Sequence, residues 1–219
     1  MNFFSLFSAL SFVSVIVYIY VGVYAYTQNR GSRIHRIFLL LCGSYAIWSF
    51  AYAFAYVSDS PQAFSFWNKI SAVGWCSFSA ITLYLVLLIT DSRFKSSKLV
   101  NLLIFLPAAV FFYMVVFLFG ADIQTPKLVS DIFYAGNFIY NTALLSLSIL
   151  ILFLWGLKSQ NTRIKKQANI LVISSAAPFL LNLLNQTILP LLGVRTFPNV
   201  GQLYAVIMIL GIYIVISRY

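Results

Sequence analysis

The sequence contains a set of uncharged polar side chains whose types and spacing suit hydrogen bonding to a ligand. Asn137 and Asn141 are four residues apart, so in a helix they share one face. Trp48 and Tyr52 have the same spacing. Together with other amides and aromatics they form a candidate ligand-binding set: Trp48, Tyr52, Lys69, Trp75, Asn137, Asn141, Asn182, Asn185, Gln186, Gln202 and Tyr204.

Two interpretations of this polar set remain open. With a rise of about 1.5 Å per residue, its members lie within ~15 Å of one end of their helices. They could form hydrogen bonds that hold helices together in lipid. They could instead line a pocket for a small amphipathic or lipid-like ligand, with Lys69 as the one cation at its rim.

Catalytic, metal and cofactor sites are not predicted. The sequence has four acidic residues and one histidine, and its acidic residues fall in or beside loops. No phosphate-binding loop, HExxH or GxSxG motif is present. A retinal protein would need a lysine in the last helix, and residues 199–217 contain none. We therefore expect no catalytic residues, no metal and no cofactor.

The composition defines the elements that must position the polar set. Of the 219 residues, 62% are hydrophobic and only 8% are charged, whereas soluble domains carry about a quarter charged residues. We predict an all-α, multi-pass bundle that forms one domain over residues 1–219, in the inner or plasma membrane. The net charge of +10 lies in short clusters between apolar runs, a pattern that favours contact with anionic lipid and not with nucleic acid.

Seven apolar segments are long enough to cross a bilayer. All but three of the 14 Lys and Arg residues flank alternate loops, the exceptions being Lys69, Lys127 and Arg195. Because the basic side faces the cytoplasm, the N-terminus is predicted outside and the C-terminus inside. The predicted spans are 3–26, 34–57, 67–90, 98–119, 132–157, 166–192 and 199–218.

Two prolines lie within predicted spans. Pro107 is near the middle of the fourth span and Pro178 is in the middle of the sixth. Proline removes a backbone hydrogen bond and clashes with the carbonyl four residues earlier, which kinks a helix. A kink can act as a hinge, and Pro178 lies one turn from Asn182. We therefore predict that Pro178 and Pro107 are candidate hinges.

Several motifs resemble one known family. They are Arg33-Ile-His35-Arg36-Ile-Phe38-Leu39-Leu40 with Ala46-Ile-Trp48-x-x-x-Tyr52, Trp67-Asn-Lys69-Ile70-x-x-Val73-Gly74, and the closing Tyr213-Ile-Val-Ile-Ser-Arg218-Tyr219. The sequence resembles the N-terminal seven-transmembrane region of bacterial sensor histidine kinases, which is also found on some diguanylate cyclases.

The resemblance implies a sensory input domain of a two-component system. Its seventh helix would pass a signal to a cytoplasmic kinase or cyclase module, in the same chain or a partner, and homodimerisation is a further expectation. The chain itself, which stops at Tyr219, is expected to have no enzymatic activity. Two alternatives are a small transporter or permease, and a passive membrane scaffold for a partner kinase.

Overall fold

The computed structural model describes residues 3–118, 127–189, 192–193, 198 and 200–218. Within these ranges the chain forms seven α-helices and no strand, as the sequence predicts. A short 3₁₀ turn, Arg93–Ser96, precedes the fourth helix, and π-helical turns extend the fourth and sixth helices over Met114–Leu118 and Leu184–Ile188. The helices are α1 (Phe3–Gln28), α2 (Arg33–Ala55), α3 (Pro61–Ile89), α4 (Lys98–Tyr113), α5 (Lys127–Lys158), α6 (Thr162–Leu183) and α7 (Gly201–Ile216).

Three helices begin earlier than the sequence analysis placed them. The predicted starts at residues 67, 132 and 166 followed the apolar stretches, but α3, α5 and α6 begin at residues 61, 127 and 162. Local capping explains two of these starts. The Ser60 hydroxyl accepts a hydrogen bond from the Ala63 amide at 3.2 Å, and the Asn161 side chain accepts one from the Arg163 amide at 2.8 Å. Such caps satisfy orphan amides where the sequence is already polar.

Consecutive helices run antiparallel. Ser8 on α1 donates to the carbonyl of Ala53 on α2 at 2.7 Å, and the ring of Phe54 near the end of α2 stacks on Trp67 of α3. The first and last helices close the bundle as a parallel pair, because Tyr18 on α1 donates to the backbone carbonyl of Gln202 on α7. We call the end where α3, α5 and α7 begin the amide end, and the opposite one the basic end.

Six of the helices, α1 to α6, are long and apolar enough to cross a membrane. The seventh, α7, has 16 residues and at 1.5 Å per residue spans about 24 Å, close to the ~30 Å hydrocarbon core of a bilayer. Several of its apolar residues belong to the same buried cluster as residues of α1, α2, α3, α5 and α6. The predicted direction of insertion, with the N-terminus outside, stays a prediction.

The half of the bundle toward the basic end is packed with aliphatic and aromatic side chains. Leu152 on α5, Leu171 on α6 and Ile209 on α7 are each almost completely buried and belong to one cluster. Burial of these side chains makes aliphatic packing a main contact between α5, α6 and α7 in that half. The amide end differs, and the candidate site lies there.

Glycine permits the closest approach between α2 and α3. A Cβ atom added to Gly74 would lie 2.5 Å from both the carbonyl oxygen of Ser44 and the Cβ of Trp48. Gly43, on α2, is different, because an added Cβ there meets nothing within 4 Å. Small residues allow helix backbones to approach closely in lipid, where van der Waals packing drives association.

These two glycines give a matched test of the packing. We expect Gly74→Ala to destabilise the bundle by about 1–3 kcal/mol, because the methyl group forces α2 and α3 apart. Gly43→Ala should be neutral or stabilising by up to about 1 kcal/mol, because alanine is the better helix former. Reversible unfolding of the purified chain in mixed micelles measures both values. Equal effects of the two substitutions would contradict the observed packing.

Candidate functional site

A cavity of about 450 Å³ lies between α2, α3, α5 and α6 at the amide end. Its size falls within the range of about 300–1,000 Å³ that is usual for small-molecule sites. Three of its lining residues, Phe64, Tyr134 and Phe138, are exposed. The lining residues are Trp48, Tyr52, Phe64, Asn68, Trp75, Phe78, Tyr134, Asn137, Phe138, Asn141, Thr142, Leu145, Phe179, Asn182, Leu183 and Gln186.

The lining combines amides with aromatic rings. Five amide side chains reach the cavity, one from α3, two from α5 and two from α6 or its π-helical extension. No Asp, Glu, Lys, Arg or His is among the described lining residues. An amide can donate and accept hydrogen bonds without carrying a charge. The cavity therefore suits an uncharged molecule, or the uncharged part of a larger one, with a polar group and an apolar body.

One hydrogen-bonded chain of side chains fixes the cavity wall on α5. Ser79 on α3 donates to Oδ1 of Asn141 at 2.5 Å, and Nδ2 of Asn141 donates to the backbone and side-chain oxygens of Asn137 at 2.9 and 3.0 Å. Asn141 thus links α3 to α5 and also faces the cavity. The two interpretations of the polar set, helix contact and ligand pocket, therefore both apply to this residue.

A second pair of amides forms the wall on α6. Nε2 of Gln186 donates to Oδ1 of Asn182 at 3.0 Å. A Cβ atom added to Gly201, the first residue of α7, would lie 2.7 Å from that same Asn182 oxygen and 3.4 Å from the ring of Trp48. Because Gly201 has no side chain, α7 packs directly on two residues that line the cavity.

Trp48 presents an unused donor. Its side chain is 5% exposed, and its indole N–H has no hydrogen-bond partner among the described residues. The indole nitrogen is itself inaccessible, so a molecule in the cavity would meet the ring of Trp48 and not this donor. The ring also stacks on Tyr45 and meets Phe78, which holds the indole at the cavity wall.

The structure brings together seven of the eleven predicted site residues: Trp48, Tyr52, Trp75, Asn137, Asn141, Asn182 and Gln186. The other four do not line the cavity. Asn185 is buried on another face of its helix and donates to the carbonyl of Pro198 at 3.0 Å. Gln202 is fully buried and donates to the Tyr56 hydroxyl at 2.9 Å. Lys69 and Tyr204 are half-buried outside the lining.

The sequence analysis missed several lining residues. Phe78, Leu145 and Phe179 supply apolar walls, and nothing distinguishes them in the sequence from lipid-facing side chains of the same types. Asn68 and Thr142 carry a usable signal. Asn68 precedes Lys69 in the first turns of the predicted third span, and Thr142 follows Asn141. A search for every uncharged polar residue near the amide end would have found both.

A smaller cavity of about 40 Å³ adjoins the first on the side of α7. It shares Trp48 and Asn182 with the larger cavity and reaches Pro178, Ala205 and Met208. The buried Pro178 lies inside α6, as Pro107 does inside α4. A π-helical segment begins about two helical turns after each proline. Such segments are frequent at functional sites. The hinge role of both prolines stays a prediction.

Side chains that could bind a metal do not cluster in the part of the chain that the structure describes. No group of three or more His, Cys, Asp or Glu side chains converges there. Cys42 and Cys76 are buried free thiols on α2 and α3. The described side chains around the cavity offer amides, phenols and indoles, which are suited to hydrogen bonding and stacking.

The fold defines a multi-pass helical membrane protein with a cavity of ligand size at the amide end of its bundle. The model of the family described as the N-terminal seven-transmembrane region of histidine kinase matches residues 10–219. The chain belongs to that family, which confirms the resemblance of its motifs. The family is a membrane input region and does not include the catalytic domains of the kinase. No curated protein and no solved structure matches the chain.

Asn141 offers a direct test of the wall on α5. We expect Asn141→Leu to destabilise the bundle by about 1–2 kcal/mol, because it removes three hydrogen bonds, one of which joins α5 to α3. Thr142→Val is the matched control, since Thr142 lines the same cavity and makes no side-chain hydrogen bond to a described residue. It should change the free energy of unfolding by less than about 0.5 kcal/mol. Unfolding in mixed micelles distinguishes the two, and equal losses would contradict this network.

Proposed function

We propose that the chain is the membrane-embedded sensory input domain of a histidine kinase signalling system and that its ligand binds in the cavity at the amide end. The ligand is a small, uncharged amphipathic or lipid-like molecule. The observation that carries the proposal is a cavity of ligand size lined by amides and aromatic rings. Membership of the family supports the sensory role.

The signal passes through α7 in this proposal. Asn182 and Trp48 line the cavity and also contact the start of α7 at Gly201. A ligand that binds them changes the packing of that helix only if it has unequal affinity for two arrangements of the bundle. The far end of α7 at Ile216 is the end predicted to face the cytoplasm, where a kinase or cyclase module in the same chain or a partner would receive the change.

Transport fits the geometry less well. The cavity shares no lining residue with the groove at the basic end of the bundle. Between them lie the buried aliphatic side chains of Leu152, Leu171 and Ile209. A permease would need these side chains to separate. Ligand uptake into proteoliposomes that contain the purified chain would favour transport over sensing.

Ligand binding is tested by two matched asparagine substitutions. Medium-chain fatty alcohols and monoacylglycerols serve as uncharged probes. At a hundredfold excess over Kd, a probe should stabilise the wild type by about 2.7 kcal/mol. Asn185→Leu, which loses one hydrogen bond outside the cavity, should keep that stabilisation. Asn137→Leu, which loses acceptor groups inside the cavity, should lose most of the stabilisation by the probe. Equal stabilisation of both variants, measured by thermal unfolding, would reject the cavity as the binding site.

Signal relay is tested by the distance between spin labels on two exposed positions at the basic end, Ser96 and Ser217. Saturating probe should change that distance in the wild type. We expect Asn182→Ala to bind probe at higher concentration and to abolish the change, because it removes the contact with Gly201. Asn185→Ala is the control and should keep the change. A distance that responds equally in Asn182→Ala would contradict relay through this contact. No response in the wild type would favour the passive scaffold.

A further inference from the structure

A second concave site lies at the basic end, remote from the cavity. It is a groove of about 330 Å³ between the first turns of α6 and the last turn of α7. Three cationic side chains line it: Arg163 and Lys166 from α6, and Arg218 directly after α7. No acidic residue is among its described lining residues. A concentration of positive charge in a concave surface favours an anionic ligand.

Among the residues that the structure describes, the three cations have no acidic partner. The ion pair between Asp91 and Lys95 is the one that the described residues form. The Arg163 guanidinium donates to the main-chain carbonyl of Arg218, which joins the start of α6 to the end of α7. That contact positions the guanidinium and uses only part of its five donors. The remaining donors, with Lys166 and Arg218, are available for an anion.

A buried amide inside the groove gives an independent indication of a ligand. Gln167 is only 6% exposed, lines the groove and has no side-chain hydrogen bond to any described residue. Its side chain is packed in place while its amide has no partner, so its hydrogen-bonding groups are available to a molecule in the groove. A phosphate oxygen in the groove would accept its N–H hydrogen bonds. The first turn of α6, capped by Asn161, adds the partial positive charge of a helix N-terminus.

The apolar part of the lining identifies the kind of anion. Ile170 and Ile214 lie one turn deeper toward the membrane on the same two helices. Beyond them the exposed Ile173 continues an apolar surface along α6. A free phosphate would leave these side chains unused. A phospholipid would use both parts, with its phosphate between the cations and an acyl chain along the isoleucines.

We propose that this groove binds the phosphate of an anionic phospholipid and thereby holds the end of α7 to the start of α6. Basic pockets between transmembrane helices at a membrane surface are suited to anionic headgroups. The proposal does not depend on the ligand cavity at the amide end, because the two sites share no lining residue. The bound lipid would be a structural component at the point where α7 leaves the bundle.

The test compares two pairs of charge removals in the full chain. Arg163→Gln with Lys166→Gln removes two groove cations, and Arg93→Gln with Lys98→Gln removes two exposed cations at the same end but outside the groove. Phosphatidylglycerol binding is measured by native mass spectrometry of the detergent-purified protein, with phosphatidylcholine as the zwitterionic reference. We expect the groove pair to weaken phosphatidylglycerol binding by about 25-fold, because each interfacial cation contributes about fivefold. The control pair should change it little.

A neutral substitution separates the groove from general surface charge. Gln167→Leu keeps every cation and should weaken phosphatidylglycerol binding by about tenfold if the amide contacts the phosphate. Equal weakening by the two charge pairs, with no effect of Gln167→Leu, would overturn the proposal in favour of diffuse attraction. Displacement of the lipid by inorganic phosphate at constant ionic strength would overturn it in favour of a simple anion site. Thermal unfolding confirms that each variant is folded.

Discussion

The absence of water in the hydrocarbon core is the constraint on which this structure depends. Every backbone amide and carbonyl in that layer needs a partner from the protein, which makes a helix the local structure for each span. Side chains meet the same condition. Ser14, Thr82 and Ser148 donate to the carbonyl four residues earlier in their own helices. Other polar groups bond across helices, and several of these bonds lie toward the amide end, such as Ser8 to Ala53 and Gln202 to Tyr56.

This distribution divides the bundle into two halves whose helices are held together by different interactions. Toward the basic end, helices are held by the packing of aliphatic side chains such as Leu152 and Leu171. Toward the amide end, amides hold the helices through hydrogen bonds and leave space between them. A hydrogen bond between side chains is directional and does not require the volume around it to be filled. The Asn137–Asn141–Ser79 chain therefore joins α5 to α3 and still leaves a cavity beside it.

The sequence predicts the helix number, the family and most of the amide-end residues, because apolar length and helical spacing are local properties. It does not predict which face of a helix meets which neighbour. Asn182 and Asn185 are three residues apart, yet one lines the cavity and the other bonds the Pro198 carbonyl. Phe179 lines the cavity and Phe153, of the same type, is exposed on the outside of α5. Only the packing of α6 against α5 and α7 decides these cases.

The parallel contact between α1 and α7 has a consequence for the order of assembly. Tyr18 and Gln202 are 184 residues apart in sequence, whereas each antiparallel pair is joined by a short connection. Closing so long a loop has a higher entropy cost and depends on prior placement of the elements in between. We therefore expect the α1–α7 contact to form later than the contacts between helices that are adjacent in sequence. Gln202 lies in the first turn of α7, so the contact with Tyr18 also sets the position of the start of that helix.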